Sequence, residues 1–287
     1  MWIPPQTAPS TRNNLKDLKM IRSAYPLSAD QIARHAPSVF ATEAHHSRSD
    51  RYTFIPTSAV LEGLKAEGFE VFSAGQSRTR IEDKRDFTKH VLRLRHQSFT
   101  GRNIQVGQSV PEIILTNSHD GASGYQLSSG FFRLVCSNGM VVGNATNDVR
   151  IRHSGNVTGD VIEGATRVLD DLQLGMARIE QFEGIQLNRD EQNLLATTAL
   201  GLRYDEGTAP IVPQSLLTPR RWDDRGDSLW LTFNRIQEAV IKGGVRGRNA
   251  NGKRMSTRAV TSISEDLKLN KQLWVLADTF AQLKQAA

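Results

Sequence analysis

The densest group of residues with chemical potential is Lys242–Arg258, which carries Lys242, Arg246, Arg248, Lys253, Arg254 and Arg258 and no acid, a local charge of +6. Within it, Gly247-Arg-Asn-Ala-Asn-Gly252-Lys253 has the glycine and lysine spacing of a phosphate-cradling P-loop. Arg254, however, stands where Ser or Thr would hold magnesium. The segment also follows a helical pattern instead of a strand, which removes the usual cradle. Contacts to a nucleic-acid backbone make no such demand, because charged side chains on a loop neutralise phosphates without fixed geometry. The competing reading is a solvated charged loop, the ordinary place for Lys and Arg.

A second basic stretch spans 72–103, where eight bases oppose three acids for a charge of +5. Inside it His90–His96 alternates, with Leu92 and Leu94 on one side and Val91, Arg93 and Arg95 on the other. That pattern predicts a half-buried strand with a basic outer stripe. With Arg78 and Arg80 on the preceding segment, the stripe offers a second row of phosphate contacts; the alternative is an ordinary exposed sheet face. Residues 163–206 run the other way, nine acids against four bases.

The remaining candidates are weaker. His45 and His46 are adjacent in a polar loop, and adjacent side chains on a strand would diverge. His90 and His96 share a strand face but lie about 20 Å apart by strand rise, too far for one ion. His119-Asp120 could join a distant carboxylate such as Glu112 or Asp86 in a metal-dependent nuclease. No HExxH or HxxxH spacing occurs, so no metal and no cofactor is predicted. The stretch Asn117–Tyr125 has the residue types for acid–base work and equally those for turns. Cys136 lies in an apolar run and reads as core. Phe87, Tyr125, Phe131, Phe132, Trp222 and Trp230 are possible base stackers, each with a core reading beside it.

These residues must be positioned by a chain of 287 residues, long enough for a substantial core. With one cysteine, a disulfide framework is excluded. The apolar runs are too short to span a bilayer and the N-terminus does not read as a signal peptide, so a cytoplasmic protein without membrane partners is expected. Residues 1–17 read as a flexible arm. Ser28 and Gln31 form a capping-box pattern for a short helix ending before Pro37. Strands are expected at Arg51–Ile55, Phe69–Ala74, His90–His96 and Glu112–Leu115, with a helix from Ser58 to about Gly68. Phe131–Cys136 fits strand or helix. Asn138-Gly139 suggests a tight turn before Met140–Val142. Helical spacing marks Val161–Ile179, Glu191–Leu202, Ser228–Ile241 (closed by Gly243-Gly244) and Ser264–Leu283. The order implies an α+β fold: a β-rich core over 18–155 with a central, mostly antiparallel sheet. A helical region over 156–287 packs on it and carries the basic loop 242–258.

The segments His45–Tyr52, Thr88–Arg95, Pro111–Gly121, Phe132–Gly139 and Leu267–Asn270 resemble the YafZ/YfjQ-like proteins of prophages and plasmids, a domain of unknown function (number 932). The resemblance covers roughly 28–280. It implies a mobile-element origin and oligomerisation, and it assigns no catalytic residues. A β-rich core followed by a long helix is also similar to RecT/Redβ-type single-strand annealing proteins, by fold-level analogy. The expected function is DNA binding, with single-strand binding or annealing through Arg78, Arg80, Arg93, Arg95, Lys242, Arg246, Arg248, Lys253, Arg254 and Arg258. The alternatives are a metal-dependent nuclease and a host-interference protein acting through a protein partner.

Overall fold

The computed structural model describes residues 20–49, 52–100, 109–133, 138–141, 148–151, 156–248 and 252–286. The predicted arm over 1–17 and Cys136 lie outside these residues. The backbone begins with a two-residue strand, β1 (Ile21–Arg22), which pairs with β2 (Phe69–Gln76). Successive antiparallel pairing then adds β3 (His90–His96), β4 (Ser109–Asn117), β5 (Tyr125–Arg133) and β6 (Asn138–Val141). β7 (Val149–Ile151) pairs with the start of β5, giving seven strands among the described residues. The α+β architecture read from the sequence is the one observed.

Between the first strands lie α1 (Ala29–His35) and α2 (Thr57–Ala66). The Ser28/Gln31 capping box forms: each side chain bonds the other's backbone N–H, satisfying two donors that a helix start leaves orphaned. A short helix, α3 (Gln97–Thr100), follows β3. Among the described residues, four long helices occupy the second half: α4 (Val157–Gly184), α5 (Arg189–Gly201), α6 (Leu229–Lys242) and α7 (Ile263–Ala286). Asn188 with Glu191 caps α5 and Ser228 caps α6. Gly243 ends α6 at φ +63°, and a Cβ there would lie 2.4 Å from the Arg258 backbone, so only glycine serves.

One apolar core runs from Leu27 and Ile32 through Leu92, Leu94, Ile113 and Leu115 to Phe182, Phe233 and Trp274, joining sheet and helices. A smaller cluster of Val91, Ile114 and Ile263 sits on the opposite sheet face, with Leu267 packed against it. The first turns of α7 therefore cover the face of β3 that the alternation assigns to solvent.

Three local expectations are corrected. Tyr52–Ile55 makes no ladder and runs as coil, held by Tyr52 Oη donating to the Ser118 carbonyl and by the Ile55 carbonyl accepting from Tyr125 Oη. Asn138-Gly139 is not a turn: Asn138 already pairs with Arg133 and Gly139 with Phe132. The loop 242–258 contains a hairpin, β8 (Arg246–Arg248) with β9 (Arg254–Ser256).

At one end of the sheet, a buried polar network clips α2 to three strands. Thr57 Oγ1 lies 3.0 Å from His90 Nε2, 3.2 Å from His119 Nε2, 3.1 Å from Tyr125 Oη and 3.1 Å from Asn117 Nδ2. A hydroxyl donates once and accepts twice, so four partners share three places. Thr57→Val keeps the shape and strands these groups away from water. The variant is expected to lose about 2–3 kcal/mol in urea unfolding, with Thr57→Ser retaining most of it.

Candidate functional site

The basic segment is a ribbon. Arg248 directly opposes Arg254, and Arg246 lies two residues along the same strand, so three side chains leave one face. Gly247 belongs to the other face and lies against Pro210 and Ile211; a Cβ at that position would come within 2.5 Å of Ile211 Cγ2. This docking turns the arginine face outward, and Arg246, Arg248 and Arg254 are all exposed. Like charges placed directly across a strand pair cost stability. The ribbon is held at its tip by Arg248 Nη1 donating to the Gly252 carbonyl (2.9 Å). At its base Gly244 N–H donates to the Thr257 carbonyl (2.8 Å) and Thr257 N–H to that of Val245 (2.9 Å). Lys253 and Arg258 are exposed beside it.

The ribbon grows from the wall of a cleft of about 820 Å³, to which Lys242 and Ala259 both contribute. The cleft is also lined by Arg22 from β1, Arg78 from the segment after β2 and Arg93 from β3. Arg78 and Lys242, drawn from the two basic segments, thus share one cavity. Lys242 is also held within the protein, 3.2 Å from Glu238, whose carboxylate grips Arg221 through both oxygens. Burial raises the Glu238 carboxyl, but hydrogen bonds to Arg221 and Lys242 outweigh it and keep the group below the usual carboxylate range. Asp266 brings a carboxyl to the same cleft. Burial raises its pKa, against the pull of Arg93 and Arg22. Arg80, just beyond Arg78, is exposed.

Arg93 and Arg95 do not form an outer stripe. They are 1% and 4% exposed, and both bind Glu112, itself 1% exposed, at 3.2 Å and 2.8 Å. Arg95 also lies over the Phe72 ring, 4.2 Å from its centroid. The alternation correctly groups Val91, Arg93 and Arg95 on one face. That this face is covered by α7 is not legible locally, since α7 begins some 170 residues later. The exposed basic stripe expected of Arg93 and Arg95 is therefore not formed, since both guanidiniums are buried against Glu112.

The residues weighed for metal-dependent chemistry are dispersed. His119 is wholly enclosed in the Thr57 network, Glu112 is committed to its arginines, and Asp120 Oδ1 accepts the Ala122 N–H in a turn. Beside that turn Tyr52 has its phenol pushed up to about 12, by burial first and then by Asp120, with Arg48 opposing. His45 and His46 do meet: their rings are 4.1 Å apart, and Asp83 joins them. The sequence offers this pair no shared ligand. The missing signal is Asp83, 38 positions downstream of His45 and adjacent only in the fold. Tyr125, Phe131 and Trp230 are core, whereas Trp222 is 75% exposed with the Arg225 guanidinium 4.3 Å over its ring.

The molecule is thus an antiparallel α+β protein with a basic cleft and an arginine ribbon at its lip. Among the described residues no helix is long and apolar enough to cross a membrane. The chain belongs to the family described as Domain of unknown function (DUF932), whose model matches residues 44–274. It is 46% identical over 260 residues to the UPF0380 protein YfjQ of Escherichia coli (strain K12), covering 91% of this chain and 93% of that one. It is likewise 46% identical over 259 residues to the UPF0380 protein YafZ of the same organism, covering 90% and 93%. No solved structure matches.

Proposed function

We propose that this protein binds DNA of a mobile element through phosphate contacts, with single-strand binding or annealing as its role. The observation that carries this reading is the ribbon: Arg246, Arg248 and Arg254 crowd one solvent-facing side at an intrinsic electrostatic cost, which a polyanion would relieve. Arg78 and Lys242 in the adjoining cleft extend the positive field. Trp222 offers an exposed ring for a base, on a segment tied to the end of α6 by Arg221 and by Arg220, which bonds the Gly243 carbonyl. A basic track combined with an aromatic plate suits single strands, and a two-stranded ribbon also fits the major groove of a duplex.

Titration of labelled single- and double-stranded oligonucleotides over a range of salt concentrations tests the proposal. Affinity should fall linearly in log–log form, with a slope of about −2 or steeper for three or more phosphates. The ratio of the two affinities assigns the strand preference. Absence of binding at low salt, or affinity indifferent to salt, would overturn the proposal.

A further inference from the structure

We propose that His45, His46 and Asp83 form a binding site for one transition-metal dication of the zinc class. One ligand atom from each lies within 4.8 Å of the others. Zinc with nitrogen and oxygen ligands at about 2.0–2.2 Å needs donors roughly 3.3 Å apart. His45 Nε2 and Asp83 Oδ2 are already 3.5 Å apart. His46 and Asp83 are exposed, so rotation of their side chains brings in the remaining donor.

The second observation concerns His45 itself. It is only 2% exposed, and its Nε2 atom has no hydrogen-bond partner. A buried ring nitrogen without a hydrogen bond costs about 1–3 kcal/mol, and the Asp83 carboxylate, 3.5 Å away, gives it only a loose electrostatic contact. The other edge of the ring is fixed: Nδ1 lies 2.8 Å from Ser47 Oγ and 3.2 Å from the Ser47 backbone N–H. The backbone N–H of His45 donates to the His119 carbonyl at 3.0 Å, and Phe87 packs edge-on at 5.3 Å. The imidazole is thus held with Nε2 aimed at Asp83. With an ion on Nε2, the ring proton moves to Nδ1 and is donated to Ser47 Oγ, the outer hydrogen bond that orients ligating histidines, while the Ser47 backbone N–H gives up its own bond to Nδ1. Two imidazoles favour zinc, cobalt or nickel over magnesium or calcium, which prefer all-oxygen shells. Three protein ligands at an exposed position leave a fourth place for water. The ion would also bind the loop 41–49 to the turn Glu82–Phe87.

Calorimetric titration of the untagged full chain with zinc chloride, and visible spectroscopy with cobalt, test the site. One equivalent should bind at roughly micromolar affinity or tighter, with the cobalt band of a low-coordinate site. His46→Ala and Asp83→Ala, both at exposed positions, should each weaken binding at least about tenfold. His96→Gln, at a histidine bonded instead to Ser98 and the Glu67 carbonyl, should not change it. Circular dichroism of the variants checks that they fold. Failure to take up one equivalent would overturn the site, as would uptake unchanged in the His46→Ala/Asp83→Ala double variant.

Discussion

Replacing Glu112 with glutamine is expected to destabilise the fold by about 3–5 kcal/mol, enough to unfold many domains of this kind. The carboxylate binds Arg93 and Arg95 where all three side chains are at most 4% exposed. Taking two guanidiniums out of water is tolerable only while a negative partner remains. A neutral amide removes the carboxylate that both guanidiniums share in a medium of low dielectric, and leaves Arg93 with the attraction of Asp266. The intact triad is not for that reason a large net stabiliser, since its own desolvation offsets much of the attraction. Hence the triple replacement Arg93→Met, Arg95→Leu, Glu112→Leu should recover most of the loss. Urea unfolding monitored by circular dichroism checks both, with the midpoint falling for the single variant and returning for the triple. A single variant within about 0.5 kcal/mol of the native protein would show that water reaches the triad.

Removing the three ribbon arginines together, as Arg246→Ala/Arg248→Ala/Arg254→Ala, should weaken oligonucleotide binding roughly a hundredfold near 0.1 M salt. The salt slope should flatten by about 2–3. Each neutralised phosphate contributes about 0.7–0.9 to that slope, and three are removed. Stability should stay within about 0.5 kcal/mol, because relief of the repulsion between Arg248 and Arg254 offsets the lost bond from Arg248 to the Gly252 carbonyl. This combination separates a binding role from a structural one: affinity lost with the melting curve unchanged supports phosphate contact. Unchanged affinity would move the interface away from the ribbon, leaving the cleft cations Arg78 and Lys242 to be tested alone.

Local rules carry much of the fold. The Ser28/Gln31 box, the helices over the second half and the strands around Phe69, His90 and Glu112 stand where spacing and caps place them. The failures share a cause. Arg93 and Arg95 lie on the face their alternation indicates, but whether that face meets water depends on Ile263 and Leu267, far along the chain. Extended character is a weak guide to a strand without a partner: Tyr52–Ile55 finds side-chain anchors in place of a neighbouring ladder. The hairpin inside 242–258 is hidden in the sequence because charged residues mask the two-residue alternation that its backbone follows. At the candidate site, local charge identifies the exposed cations, while the meeting of Arg78 with Lys242 requires the third dimension.

The Glu112 triad has a consequence for how the sheet assembles. β3 and β4 are joined by the long connection 97–108, so no tight hairpin dictates their alignment. Arg93 pairs with Ile114 and Leu94 with Ile113, so continuing the ladder sets Arg95 across from Glu112. Sliding either strand by a single position would turn Glu112 toward Leu92 and Leu94, stranding an anion in hydrocarbon and two cations opposite it. The charged trio therefore acts as a key, admitting one alignment of the two central strands and rejecting its neighbours.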